Sequence, residues 1–182
     1  MRPTVTLCMI VKNEMHVIER CLRSVAPFID RYDITDTGSD DGTPEKIKEV
    51  MNELGVEGEV YLSDWKGFGD HNGKSGSRSE SLRNCDGKAD YAWVIDADDS
   101  AVGEVRLPDG ADADAYSLRI QRGDFVWWRN QFFKTDAKWR YEGVVHEYAA
   151  TDKPEPRVDR LVGDYSIDAR TEGARNVGIT PI

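Results

Sequence analysis

The chain has 182 residues, enough for one domain with a single well-buried core, and its net charge of −10 disfavours non-specific binding to nucleic acid or anionic lipid, since both want a positive surface. Its mean hydropathy of −0.60 describes a soluble globular protein, and no apolar stretch approaches the roughly 20 residues needed to span a bilayer. Cys8, Cys21 and Cys85, an odd count without C-x-x-C spacing, argue against a disulfide framework or a zinc knuckle and read as reduced, mostly buried thiols of a cytoplasmic protein.

Residues 4–11 form an apolar, β-branched run too continuous for one-sided alternation, so they read as a central buried strand. The run lacks a small-residue cleavage site and is not a signal peptide. Residues 14–24 place Met15, Ile18, Leu22 and Val25 at helical spacing, and Pro27 stops that helix. A short second strand over 31–35 leads into the turn-forming loop Asp36-Thr37-Gly38-Ser39-Asp40-Asp41-Gly42. Thr43-Pro44 opens a helix through Leu54, ended by Gly55 and Gly58, and 59–62 is a third strand. Residues 67–76 are Gly/Ser-rich and read as a mobile flap. Strands alternating with helices imply a mostly parallel central sheet flanked by helices, with ligands outside the carboxyl ends of the strands.

The next strand, Tyr91-Ala92-Trp93-Val94-Ile95, ends abruptly in Asp96, Asp98 and Asp99. Clustered carboxylates repel one another, and a fold keeps them together most readily around a cation. Hard oxygen ligands suit Mg²⁺ or Mn²⁺, and a site offering one or two carboxylates leaves room for substrate phosphates. A solvated acidic turn is the bland alternative. Asp36 stands at a second strand end, which joins two acidic loops into one plausible site. The C-terminal third carries additional β-structure: 115–120 and 124–134, rich in Phe125, Trp127, Trp128, Phe132 and Phe133. Trp127 and Trp128 are adjacent and must point to opposite faces, one toward the core and one available to a sugar ring. Beyond Thr151 the sequence is polar, with no helix or strand expected.

The segment Thr6-Leu7-Cys8-Met9-Ile10-Val11-Lys12-Asn13-Glu14, the Asp36–Thr43 loop and the later Asp-Ala-Asp together resemble a family 2 glycosyltransferase of GT-A fold. The resemblance covers about residues 4–100 well and 115–150 loosely. It implies a metal-dependent, inverting transfer of a sugar from a nucleotide-sugar donor, with UDP the expected nucleotide, to a glycan or other acceptor hydroxyl. By that resemblance Ile10, Val11, Asp36 and Thr37 cradle the base and ribose. Asp96 faces the ribose or a metal-bound water, Asp98 ligates Mn²⁺ or Mg²⁺, and Arg78 reaches the nucleotide. His146 closes the metal shell and Glu147 is the general base, ahead of Glu142 and Asp124. Arg170 and Arg175 are candidates to close over the diphosphate. Lys12 departs from the family pattern, standing where an aromatic side chain often packs near the base.

The expected organisation is a single GT-A-like domain over 1–182: a nucleotide- and metal-binding half (1–99), an acceptor-side half (100–150) and a polar tail (151–182). That is short for the fold and compatible with one domain of a longer protein. A P-loop is excluded because Gly69 and Gly73 are separated by three residues where four are needed. A calcium loop from Asp36 fails because its sixth position is Asp41 and its twelfth Ile47. A nucleotidylyltransferase would want a glycine-rich loop after the first strand. The rival of a different class is a sugar-nucleotide or glycan-binding module of the same fold without turnover.

Overall fold

The computed structural model describes residues 1–67, 75–143 and 147–174. The N-terminal half follows the expected alternation. Strand β1 (Val5–Val11) is buried along almost its whole length. Helix α1 covers Ile18–Val25, β2 Arg31–Asp36, α2 Thr43–Glu53, β3 Gly58–Leu62, α3 Ser77–Asn84 and β4 Tyr91–Val94. Then come β5 (Ser100–Gly103), β6 (Ala115–Arg122), β7 (Phe125–Lys134), β8 (Arg140–Glu142), β9 (Tyr148–Ala150), β10 (Val158–Arg160) and β11 (Tyr165–Asp168).

Among the described residues the main sheet runs β3-β2-β1-β4-β7-β6-β11-β5, with β10 beside the start of β6. β1 to β4 are mutually parallel, so their carboxyl ends share one edge of the sheet. β7 is antiparallel to β4, with Trp93 opposite Phe132, so the earlier part of β7 runs on past the carboxyl end of β4. That overhang brings the β6–β7 hairpin alongside the acidic turn. On one face Leu7, Met9, Ile34 and Trp93 pack under α1 and α2 through Ile18, Leu22, Ile47 and Met51. On the other, Cys8, Ala92 and Phe133 pack with Leu82 and Cys85 of α3 and with Trp139. Burying each such large apolar side chain contributes about 1.5–3 kcal/mol.

Two sequence expectations are corrected. The first helix begins at Ile18, not Glu14. The intervening backbone is pinned by the β2–α2 loop: Glu14 N–H donates to Thr43 Oγ1 (2.9 Å) and Met15 N–H to Asp41 Oδ2 (3.1 Å), while Asn13 takes a positive φ of 56°. Those N–H groups are satisfied sideways, and Met15 is left exposed. Second, residues 151–174 are not structureless, since β10 and β11 both pair with β6. Strands of three and four residues carry too little pattern to be read locally, and their partners lie far away in sequence. β5, for which the sequence offered no reading, follows the acidic turn directly and pairs antiparallel with β11. All three cysteines are free and buried, as expected. No described helix is long and apolar enough to cross a membrane.

Candidate active site

A cavity of about 690 Å³ opens at the carboxyl ends of β1, β2 and β4. Its walls include Ile10, Val11, Thr37, Arg78, Asp96 and Asp98, six residues singled out from the sequence. Ile10 and Val11 line it because β1 ends there. The backbone then turns through Lys12 and Asn13, whose N–H donates to Ser39 Oγ at 2.8 Å. Thr37 is fixed beside that end: its N–H and its hydroxyl both donate to Val11 O, at 2.9 and 3.1 Å. Asp36 is different. It is buried, and its carboxylate accepts the N–H groups of Gly38 and Ser39 and the Ser39 hydroxyl. Asp36 therefore holds the loop that presents Thr37.

The acidic turn is built by the end of β4, with Asp99 N–H donating to Asp96 O at 3.1 Å. Its three carboxylates face different partners. Asp96 lies between two arginines, 3.5 Å from Arg78 Nη2 and 3.4 Å from Arg129 Nη1. Asp99 is buried, accepts the Arg170 N–H at 3.2 Å and stands 3.7 Å from Arg129 Nη2. Burial pushes its carboxyl up to about 7, helped by the negative charge of Asp96 and opposed by Arg170 N–H and Arg129. Asp98 accepts the Gly173 N–H at 2.9 Å. Near it Glu14, half-buried, accepts the Ala174 N–H at 3.1 Å. Desolvation raises the pKa of Glu14, the Ala174 hydrogen bond lowers it, and the charge of Asp98 raises it again.

Arg78, in the first turn of α3, ties the two halves of the site together. Its Nε is 3.2 Å from Glu147 Oε2, a charge contact off the hydrogen-bonding line, and its guanidinium lies 5.7 Å from the Tyr141 ring centroid. Burial opposes its charge, yet Asp96, Tyr141 and Glu147 hold its pKa above the ordinary arginine value. Glu147 thus reaches the acidic turn through Arg78. The other base candidates are elsewhere: Glu142 is paired with Arg140 at 2.6 Å and Asp124 lies at the exposed tip of the β6–β7 hairpin. His146 and Arg175 lie outside the described residues, as does most of the Gly/Ser loop. Among the described residues no three His, Cys, Asp or Glu side chains converge on one point.

Cavity or site residues given no role from the sequence include Glu14, Arg129, Trp65, Gly173 and Ala174. For Arg129 a signal existed. Trp127 and Arg129 share one face of β7 by alternation, and once β7 pairs with β4 that face runs past Asp96. Trp127 and Trp128 do point to opposite faces. Trp127 packs on the core, while the Arg160 guanidinium sits 4.9 Å from the Trp128 ring centroid. Arg170 lines the cavity and its guanidinium is paired with Asp168 at 2.9 Å.

Comparison with known proteins agrees with this layout. A curated TPR repeat-containing protein of Synechococcus elongatus is 33% identical over 101 residues, covering 56% of this chain and 22% of the relative. Among solved structures, S. aureus TarS 1–349 superposes with a TM-score of 0.63 at 13% identity, over 92% of this chain and 60% of that one. The same protein in complex with UDP superposes at 0.51 and 17% identity, over 66% and 36%. At such identities the likeness is one of fold, and the chain spans less than two thirds of each of these proteins. The family description "Glycosyl transferase family 2" matches residues 6–146, which take in β1, the acidic turn and the aromatic strands. With its strand-end acids opening on one cavity of a GT-A-type α/β fold, the chain belongs to glycosyl transferase family 2.

Proposed function

We propose that the protein is a metal-dependent glycosyltransferase that moves a sugar from a UDP-sugar to an acceptor hydroxyl, with inversion. One observation carries the reading: a single cavity joins the carboxyl end of β1 and Thr37 to Asp98. Ile10, Val11 and Thr37 offer an apolar wall and a fixed backbone edge for the base and ribose. Asp96, held between Arg78 and Arg129, faces the ribose side. The two arginines place positive charge where a diphosphate would lie, in a chain whose overall charge would repel it.

The donor set fits a hard divalent cation. Asp98 and Glu14 both line the cavity and offer oxygen only, few enough to leave positions for phosphate oxygens. His146 is proposed as a further protein ligand. Bound there, Mn²⁺ or Mg²⁺ would neutralise the charge that develops on the leaving nucleoside diphosphate. Glu147 is proposed as the base that takes the acceptor hydroxyl proton. Its carboxylate is kept beside the Arg78 guanidinium, which ties it to the acidic turn.

Thermal melting with UDP, GDP, dTDP or ATP, each with Mn²⁺, Mg²⁺ or EDTA, tests the reading. A ligand at a hundredfold excess over its dissociation constant adds about 2.7 kcal/mol. A shift with UDP and metal that EDTA erases is expected, and Asp98→Ala should abolish it while folding normally. No shift with any nucleotide would refute the donor assignment. Nucleotide binding without turnover on any acceptor would favour the binding-module reading.

A further inference from the structure

The chain beyond β11 does not simply leave the fold; it crosses the cavity and lodges among its acids. Arg170 N–H donates to Asp99, Gly173 N–H to Asp98 Oδ2 at 2.9 Å and Ala174 N–H to Glu14 Oε2 at 3.1 Å. Gly173 sits so closely between the two carboxylates that a Cβ on it would lie 3.2 Å from Asp98 Oδ2 and 3.3 Å from Glu14 Oε1. Successive backbone N–H groups therefore occupy the space between these carboxylates, presenting partial positive charge to both. Arg20 completes the clasp: its Nη2 donates to Asp98 O at 3.0 Å and is 2.7 Å from Glu172 Oε2. His16 Nε2 lies 2.7 Å from Glu172 O.

We propose that residues 170–174 form a strap that docks by filling the gap between Asp98 and Glu14 with its own N–H groups, and that a divalent cation taken up by these carboxylates displaces it. The proposal rests on Asp98 as the metal ligand. Two features support displacement over mere support. The hold is electrostatic, because residues 170–172 are exposed and Gly173 is the only strap residue buried. Its strength thus depends on the carboxylates remaining free to accept. And a small divalent cation such as Mg²⁺ bridging two carboxylates needs oxygens at about 2.0–2.1 Å, which leaves no room for peptide backbone between them. In the docked state the strap lowers the affinity of the site for its cation.

Amide exchange of the strap, read by mass spectrometry with and without Mn²⁺, tests this alongside a direct Mn²⁺ titration by electron paramagnetic resonance. Asp98→Ala serves as the control for cations bound elsewhere. The expected result is Asp98-dependent Mn²⁺ binding, with Gly173 and Ala174 amides exchanging at least about tenfold faster when Mn²⁺ saturates. That factor is what losing one hydrogen bond to a charged group gives at the low end. Gly173→Pro, which removes the donor to Asp98, should bind Mn²⁺ about tenfold more tightly. Glu172→Ala, which cuts the Arg20 ion pair and touches neither carboxylate, should shift affinity in the same direction. If wild type binds Mn²⁺ through Asp98 and strap exchange is unchanged or slower, the strap proposal is overturned and the metal assignment stands. If neither wild type nor either strap variant binds Mn²⁺ through Asp98, both fall together.

Discussion

Arg78 is the side chain on which the site's two halves depend, and replacing it with alanine has a calculable cost. The guanidinium contacts Asp96 at 3.5 Å and Glu147 at 3.2 Å and covers the Tyr141 ring. Breaking a buried pair by removing one partner costs about 3–5 kcal/mol, because the remaining charge stays desolvated. Here the side chain of Glu147 is 13% exposed, while that of Asp96 is 37% exposed and keeps Arg129 at 3.4 Å, so water and Arg129 recover part of the loss at Asp96 and the lower end, about 3 kcal/mol, applies. For a chain of this length that is a fall in melting temperature of roughly 6–12 °C. The assay is urea denaturation of Arg78→Ala, Glu147→Gln and the double variant. A coupling energy above about 1 kcal/mol between the two sites is expected, since they are in direct contact. A single-variant cost under about 1 kcal/mol, with additive behaviour in the double variant, would show that Arg78 does not hold Glu147, and the link between acidic turn and proposed base would be lost.

The other expectations concern pH, catalysis and packing. Asp99 has a folded pKa of about 7 against 3.8 for the free group, so the native state holds the proton more tightly. Its contribution is full below about pH 4 and falls as pH rises through 7, by at most about 4 kcal/mol. Asp99→Asn should flatten that slope in denaturation curves taken from pH 5 to 8, and an unchanged slope would contradict the assignment. Glu147→Gln should retain UDP binding and lose sugar transfer; normal turnover would place the base elsewhere. Gly58→Ala should destabilise by about 3 kcal/mol, since its Cβ would fall 2.1 Å from Tyr32 O and meet the Tyr32 ring. A wild-type urea midpoint for that variant would mean β2 and β3 can separate freely.

What could be read without coordinates is what local pattern encodes. The burial of β1, the strand ending in Asp96, Asp98 and Asp99, and the start of α2 with Pro44 in its first turn each follow from residues adjacent in the chain. So does the family, because its motifs are contiguous. The parallel sheet could be inferred too, since alternating strands and helices leave few other ways to bury both faces of a strand such as β1. What no local pattern encodes is pairing between distant segments. Arg129 reaches Asp96 only because β7 pairs antiparallel with β4 and overshoots its end. That the Asp36 carboxylate accepts its own loop's N–H groups is likewise a matter of backbone conformation that no motif spells out. Gly173 and Ala174 stand on Asp98 and Glu14 because β11 joins the sheet beside β6 and aims the chain across the cavity. Composition and motif thus determined the family and the strand end at which its acids stand. The tertiary structure alone decided which charges meet there, because an ion pair or a hydrogen bond needs atoms within a few ångströms and only long-range strand pairing sets that distance.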